Sequence, residues 1–292
     1  RVPVRTELLR WARERSGRSE AALAAKFPSL GVWEQGSVEP TLRQLEHYAR
    51  ATRTPVGYFF LSAPPEESLP IPDFRFSGGG PPVRPSPDLL DTIAHCQQRQ
   101  DWYRNFAISM GEPPLSFVGS AHRGEDASEV AARIQNELGF DIDQRRALAT
   151  WSEALSSFAA AIEEHGVLVM RSGVVLNNTS RPLDPSEFRG FALADDRAPL
   201  IFVNAADSRA AQMFTLAHEL AHIYLGQSGI SDVSLVEPAA RDVERWCNSV
   251  AAETLVPGEA IRAEYRAGTD TVEEVIRLAR IYKVSGLVVL RR

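Results

Sequence analysis

Two features are scarce in this sequence, cysteine and long apolar runs, and each scarcity excludes a class of protein. Cys96 and Cys247 are the two cysteines in 292 residues. They lie far apart, which argues against a disulfide framework and against a zinc site built from cysteine. No stretch approaches about 18 uncharged apolar residues, and the first residues lack the apolar core of a signal peptide. We therefore expect no membrane partner and a cytoplasmic location.

An overall excess of positive charge is also missing. The chain carries 32 Lys and Arg against 38 Asp and Glu, a formal net charge of −6, which is not the composition of a polyanion binder. The charge is uneven, however, because residues 1–55 hold ten cationic side chains against six anionic ones, a net +4. With 44% apolar and 24% charged residues, the composition is that of a globular protein long enough for two or three domains.

Residues 1–63 are predicted to form a domain of short helices. Thr6–Arg15 is amphipathic, and Ser19 can cap a helix at Glu20–Phe27. A further helix opens at Pro40-Thr41. The pattern therefore indicates an all-α unit at the start of the chain.

Several motifs in this unit are similar to those of the Cro/repressor helix-turn-helix class. They are Ala22-Leu23-Ala24, Trp33-Glu34-x-Gly36, Pro40-Thr41, Leu45 and Ala49. The resemblance implies a degenerate helix-turn-helix domain, and the alternative to DNA binding is a helical domain used for packing or protein contacts. About four residues fewer than usual separate Leu23 from Trp33, so the recognition helix is predicted to be short and to present few donors to a major groove. We expect weak or no specific DNA binding.

Residues 64–88 are dense in proline and glycine and are predicted to form a linker. Within them, Phe74-Arg75-Phe76 is an apolar interruption that we expect to dock onto a neighbouring domain. Residues 89–165 then show helical periodicity. The predicted helices are Leu89–Met110, Ser128–Leu138 and Thr150–Glu164.

After residue 165 the pattern changes to short apolar or alternating runs broken by Gly, Pro, Asn and Asp. The runs are Gly166–Met170, Phe188–Ala194 and Pro199–Asn204. They predict a small sheet of mostly antiparallel strands. If the last strand lies at a sheet edge, the backbone of Ile201, Phe202 and Val203 can pair with an extended peptide substrate.

The most informative motif is His218-Glu219-x-x-His222, which lies in an apolar run. On a helix the two histidines are four residues apart and project to one side, the spacing with which two imidazoles hold one Zn²⁺. Glu219 can reach a metal-bound water without being a ligand and is predicted to act as general base. The predicted ends of the helix are Asp207 or Ser208 as N-cap and Gly226 as the residue after the C-cap.

A catalytic zinc needs a third protein ligand and an open position. The downstream candidates are Asp232, Glu237, Asp242, Glu244, Cys247 and Glu253. Arg241–Leu255 is predicted to be a helix on which Glu244 shares a face with small side chains, so this helix can pack closely on the histidine helix. Glu244 is therefore the best-placed third ligand, whereas Cys247 is better explained as a buried small apolar residue.

The residues around these motifs carry a second resemblance. They are Phe191-x-Leu193-Ala194-Asp195, Pro199-x-Ile201-x-Val203-Asn204, Phe214–His222 and Glu244-x-x-Cys247-Asn248-x-x-Ala251-Ala252-Glu253-x-Leu255-Val256-Pro257. Over about residues 160–292 the chain resembles the ImmA/IrrE family of zinc peptidases. The resemblance implies a zincin-like fold, His218, His222 and Glu244 as zinc ligands, and Glu219 as base. It also implies cleavage of repressor or antitoxin proteins at few bonds, in stress responses and mobile-element control.

The predicted fold class is α+β, with a helix-turn-helix-like domain at 1–63, a linker at 64–88, a helical region at 89–165 and a metallopeptidase domain at 166–292. The predicted function is an intracellular zinc endopeptidase that cleaves a repressor or antitoxin-like protein. The alternative is a transcriptional regulator or antitoxin-like binding module with a structural or sensory metal site. Glu219 argues against this alternative, because a structural site needs no base.

Overall fold

The computed structural model of the protein describes residues 1–74, 84–140, 142–231 and 242–292. The chain divides into two units. Unit 1 comprises Arg1–Pro70 with Pro82–Asp91, and unit 2 comprises Ile71–Pro81 with Thr92–Arg292. The domain boundaries predicted from the sequence stay predictions.

Unit 1 is helical. Its elements are α1 (Thr6–Arg15), α2 (Glu20–Lys26), α3 (Leu30–Glu34), α4 (Leu42–Ala51) and a 3₁₀ helix at Val56–Phe60. Ser19 caps α2 as predicted, and Thr41 forms a capping box with Gln44 at the start of α4. The apolar faces of these helices share one core, in which the buried Tyr48 hydroxyl donates a hydrogen bond to the Leu9 carbonyl at 2.9 Å.

Helix α3 is only five residues long. Leu30, Trp33 and Glu34 of this helix are buried, so few of its side chains face solvent. A helix of this kind can place few donors in a major groove. The helix-turn-helix resemblance itself stays a prediction.

The remaining helices are α5 (Pro87–Met110), α6 (Ala127–Leu138), α7 (Ile142–Ala147), α8 (Trp151–Glu164), α9 (Arg209–Tyr224), α10 (Asp242–Leu255), α11 (Gly258–Glu264), α12 (Thr271–Tyr282) and α13 (Gly286–Leu290). The predicted helices match α5, α6 and α8 to within two residues at each end. None of the helices in the described ranges is long and apolar enough to cross a membrane. A single apolar core joins α6 and α8 to the sheet and to the helices that follow, for example through Val130, Phe158 and Leu216.

The sheet of unit 2 has four strands within the described residues, in the order β1-β3-β2-β4. The strands are β1 (Leu168–Ser172), β2 (Gly190–Leu193), β3 (Leu200–Asn204) and β4 (Gly229–Ile230). The pairing of β1 with β3 is parallel, whereas β2 pairs antiparallel with β3 and with β4. The sheet is therefore mixed, and β4 is a strand that the sequence patterns did not indicate.

The prediction that β3 presents a free edge is wrong. Ile201, Phe202 and Val203 pair with β1 on one side and with β2 on the other. Every residue of β3 is buried. No backbone edge is left for a peptide, so these three residues are not substrate-pairing positions.

Helix α9 is buried along most of its length and contacts β2, β3, α8 and α10. Its N-cap is Ser208, whose side chain accepts a hydrogen bond from the Ala211 N–H at 3.2 Å. Gly226 follows the C-cap with a φ of 66°, which glycine adopts without the strain of a side chain. The Gln227 N–H then bonds to the His222 carbonyl at 3.0 Å, a Schellman-type ending that brings the chain back beside His222 and into β4.

Candidate metal centre

Helix α9 brings His218 and His222 together. They lie one turn apart, and both are fully buried. Their Nε2 atoms are 3.1 Å from each other. The helical period alone produces this approach, because residues four apart share a face.

Helix α10 contributes a carboxylate to the same point. Glu244 is fully buried, with Oε2 at 3.3 Å from His218 Nε2 and Oε1 at 3.1 Å from His222 Nε2. Helix α10 reaches α9 because one face of it is apolar and includes the small buried residue Ala251. Within the described ranges, these three side chains form a cluster with the spacing of a metal site.

The other predicted third-ligand candidates differ from Glu244. Asp242 is exposed and pairs with Arg245, and Glu253 pairs with Arg292. Cys247 is buried and is not in a disulfide, and burial raises the pKa of its thiol well above the usual range. Cys247 is also absent from the cluster of possible metal ligands that the described residues form. Asp232 and Glu237 lie outside the described residues.

The three side chains fit a zinc ion. Donor atoms about 2.0–2.1 Å from a tetrahedral zinc lie about 3.3 Å from one another, close to the separations of 3.1–3.3 Å found here. Among the residues that the structure describes, none donates a hydrogen bond to either buried oxygen of Glu244. A cation between the three groups would give these oxygens a partner.

The electrostatics of the cluster also suit a cation. Burial alone would raise the pKa of Glu244, but the neighbouring His218 and His222 outweigh it and lower the pKa to about 2. Burial lowers the pKa of His222, although Glu244 opposes the shift. Glu244 is therefore held as a carboxylate, the form in which it can bind a metal.

Asn248 supports the first histidine. Its Oδ1 lies 3.0 Å from His218 Nδ1. An N–H at Nδ1 that donates to this oxygen leaves the Nε2 lone pair of His218 directed at the cluster. Asn248 lies four residues after Glu244, on the face that the sequence analysis predicted to pack on α9, but its role was not anticipated.

Glu219 is the next residue after His218 and is also fully buried. Its Oε2 accepts a hydrogen bond from the Ser231 hydroxyl at 3.2 Å, whereas Oε1 has no hydrogen-bond partner among the described residues. Burial, together with the negative charge of Glu244, raises the pKa of Glu219 well above the usual range. A Cβ at Gly190 would lie 3.3 Å from Glu219 Oε1 and 2.7 Å from the Phe202 carbonyl oxygen, so glycine is needed where β2 passes this carboxylate.

Part of the chain matches a known protein family. Residues 162–292 match the model of Peptidase_M78, the IrrE N-terminal-like domain. The matched range runs from α8 to the last residue and contains His218, Glu219, His222 and Glu244. The match supports a metallopeptidase of the IrrE/ImmA kind, as the sequence resemblance implied. A search of curated proteins found no match.

Tyr224, on the same helix, uses its hydroxyl in contacts with other residues than the metal cluster. Its hydroxyl donates a hydrogen bond to Glu137 and lies 3.4 Å from His165 Nε2. Burial, with the nearby Glu137 carboxylate, raises its pKa. Tyr224 is therefore not an available donor for a charge that develops at the metal cluster.

Proposed function

We propose that this protein is a zinc-dependent endopeptidase in which His218, His222 and Glu244 are the metal ligands. The observation that carries the proposal is the buried convergence of these three groups, in which neither Glu244 oxygen has a hydrogen-bond donor within the described part of the chain. The family match of residues 162–292 supports a peptidase in particular. The cytoplasmic location expected from the sequence stays a prediction.

A zinc ion at such a site acidifies a bound water and polarises a carbonyl group. Glu219 is the base in this proposal, and its unpaired Oε1 is the atom that accepts the proton of the attacking water. Ser231 holds the other oxygen, so the carboxylate is kept in one orientation. Burial raises the pKa of Glu219, which favours its taking up that proton. The departing amine, a stronger base than a carboxylate, then accepts the proton from Glu219.

The proposed substrate is a regulatory protein, such as a repressor or an antitoxin, cut at few bonds. This part of the proposal rests on the family resemblance. Full burial of all four site residues is compatible with it, because an inaccessible site does not degrade proteins at random. The alternative, a DNA-binding regulator with a structural or sensory metal, gives no reason for a buried base beside the metal ligands.

Glu219→Gln separates the two functions. The variant should keep about one zinc per chain, because the residue is not a ligand, and should cleave about 10²–10⁴-fold more slowly. Zinc is measured by elemental analysis, and cleavage is measured by comparing the proteomes of cells that express the wild type or the variant. Equal proteomes in the presence of full zinc loading would favour the regulator.

A further inference from the structure

A short segment of unit 2 extends the sheet beyond β4. The Ile230 N–H donates to the Pro72 carbonyl at 2.9 Å, and the Phe74 N–H donates to the Ile230 carbonyl at 2.8 Å. Asp73 thereby forms a parallel bridge with Ile230. Both backbone groups of Ile230 point away from β2, so β4 offers a peptide-pairing edge, and Pro72–Phe74 occupies it.

The side chain at the end of this segment lies on a metal-cluster residue. The ring of Phe74 stacks on the imidazole of His222, with centroids 5.7 Å apart and planes 7° from parallel. A Cβ at Gly229 would lie 2.3 Å from Phe74 Cε2. The glycine therefore leaves the space that the ring fills, and the space lies between the edge strand and the cluster.

The location suits a peptide substrate for a reason of connectivity. The turn after α9 links His222 directly to β4, with the Gln227 N–H bonded to the His222 carbonyl. An extended chain on β4 is therefore held beside the cluster. Strands β2 and β3 are each paired on both sides and cannot take this part. Backbone pairing supplies affinity, and a pocket for one side chain supplies selectivity.

We propose that the edge of β4 binds an extended peptide, and that the space beside Gly229 and His222 accepts its aromatic side chain. Pro72–Phe74 is then an internal competitor for the same place. The inference rests on the proposed peptidase function, since it identifies the class of substrate that the site takes. An aromatic residue fits because the existing occupant is a phenyl ring stacked on an imidazole.

An internal competitor has a measurable consequence. A segment tethered close to its site acts at an effective concentration of about millimolar, so the intact protein should bind a free peptide of the same sequence weakly. Loss of the Phe74 ring should relieve this competition. If the ring only stabilises the fold, its loss should not tighten the binding of any peptide.

The test uses the zinc-loaded, full-length chain in a Glu219→Gln background, so that binding is measured without cleavage. The probe is a fluorescein-labelled, C-terminally amidated hexapeptide, Leu-Pro-Ile-Pro-Asp-Phe, which copies residues 69–74. Adding Phe74→Ala should lower the Kd for this hexapeptide, measured by fluorescence anisotropy, at least about tenfold. Phe106→Ala, which removes a partly exposed ring of α5, is the matched control and should change nothing.

Two further arms locate the ring. A hexapeptide that ends in Ala instead of Phe should bind no more tightly after Phe74→Ala than before it. Adding Gly229→Ala to the Phe74→Ala protein should abolish the tighter binding of the Phe peptide, because the methyl group fills the ring's place. Unchanged thermal unfolding and zinc content show that each variant is folded.

The proposal is overturned if Phe74→Ala binds the Phe peptide no better than its background, or if the Ala peptide binds equally well. Should Phe74→Ala fail to fold, Phe74→Leu, which keeps apolar bulk without a ring, takes its place with the same expected direction. Cleavage lost in Glu219→Gln together with unchanged peptide affinity in Phe74→Ala would refute this inference alone. The binding measurement does not depend on catalysis, so a failure of the peptidase proposal is recognised separately.

Discussion

Both units of the protein bury glutamates, and Glu34 of unit 1 and Glu244 of unit 2 have different surroundings. Glu34 of unit 1 accepts hydrogen bonds from Arg13 Nε at 2.9 Å and Arg13 Nη2 at 3.2 Å, a bidentate pair. In the residues that the structure describes, Glu244 of unit 2 has no hydrogen-bond donor at either oxygen, and it lies against two histidine nitrogens. The first carboxylate is matched by a cation of the protein, and the second is arranged for a cation from outside.

The difference separates stability from chemistry. A guanidinium on Glu34 cancels its charge within the fold, so the pair can only help to hold α1 against α3. The Glu244 carboxylate is instead kept ionised by His218 and His222, which outweigh its burial and lower its pKa to about 2. A carboxylate held in this way can take a cation, and a cation that binds only the folded chain stabilises it.

The largest expected effect comes from removing any one of the three clustered side chains of unit 2. His218→Ala, His222→Ala and Glu244→Ala should each reduce zinc from about one per chain to near zero after dialysis, measured by elemental analysis. Glu34→Ala is the control, since it removes a buried carboxylate that the fold already pairs, and it should keep full zinc content. Wild-type zinc binding by Glu244→Ala would mean that the third ligand is another residue, with Asp232 and Glu237 the next candidates.

A smaller effect is expected from the residue that orients His218. Asn248→Ala should weaken zinc affinity about 10–100-fold and leave the stoichiometry at saturating zinc unchanged, because it removes the acceptor at Nδ1 but no ligand. Competition with a chromophoric chelator measures the affinity. Ser249→Ala, at the next and exposed position of α10, should bind zinc like wild type. Equal affinities for the two variants would contradict the positioning role.

Breaking the matched pair should affect stability alone. Arg13→Ala should destabilise unit 1 by about 1–3 kcal/mol, because Glu34 is left buried without its donor. The double variant with Glu34→Gln should recover part of the loss, since the unpaired charge is gone. Denaturant unfolding gives the free energies, and zinc content should stay constant throughout. A loss of zinc in Arg13→Ala would contradict the comparison, in which the Arg13–Glu34 pair affects stability and Glu244 affects metal binding.

The weakest expected effect is binding of DNA by the positively charged unit 1. With a net charge of +4 over residues 1–55 and a five-residue α3, it should bind DNA weakly and without much sequence preference, with Kd of about 10⁻⁴–10⁻⁶ M at physiological salt. Affinity should fall as salt rises, which a titration by anisotropy would reveal. Nanomolar binding to one DNA sequence would instead support the alternative function, a DNA-binding regulator.

Local chemistry explains what could be predicted of the site. Helix α9 has a serine cap and a glycine ending, and between them the helical period places His218 and His222 on one side. The same period puts Glu244 on the face of α10 that carries small residues, so its approach to α9 followed from one assumption about packing. Each of these features depends on residues within a few positions of one another, which is why the sequence could indicate them.

The strand order could not be predicted in the same way. The first four residues of β3, Leu200 to Val203, are all apolar, and such a run has the same pattern whether it lies at an edge or in the middle of a sheet. Its neighbours are β1, about 30 positions earlier, and β2, so its place is decided by pairing between separate segments. The two-residue β4 is too short to show any period at all.

By itself, the sequence determined the chemical types and helical spacing of His218, Glu219 and His222, because a helix converts sequence distance directly into a direction. Only the tertiary structure decided that Asn248 meets His218, that Ser231 holds Glu219 and that Phe74 covers His222. These contacts join separate elements, and their partners are ordinary residues with no local pattern of their own. Their meeting depends on how the whole core packs, a property that no single stretch of the chain encodes.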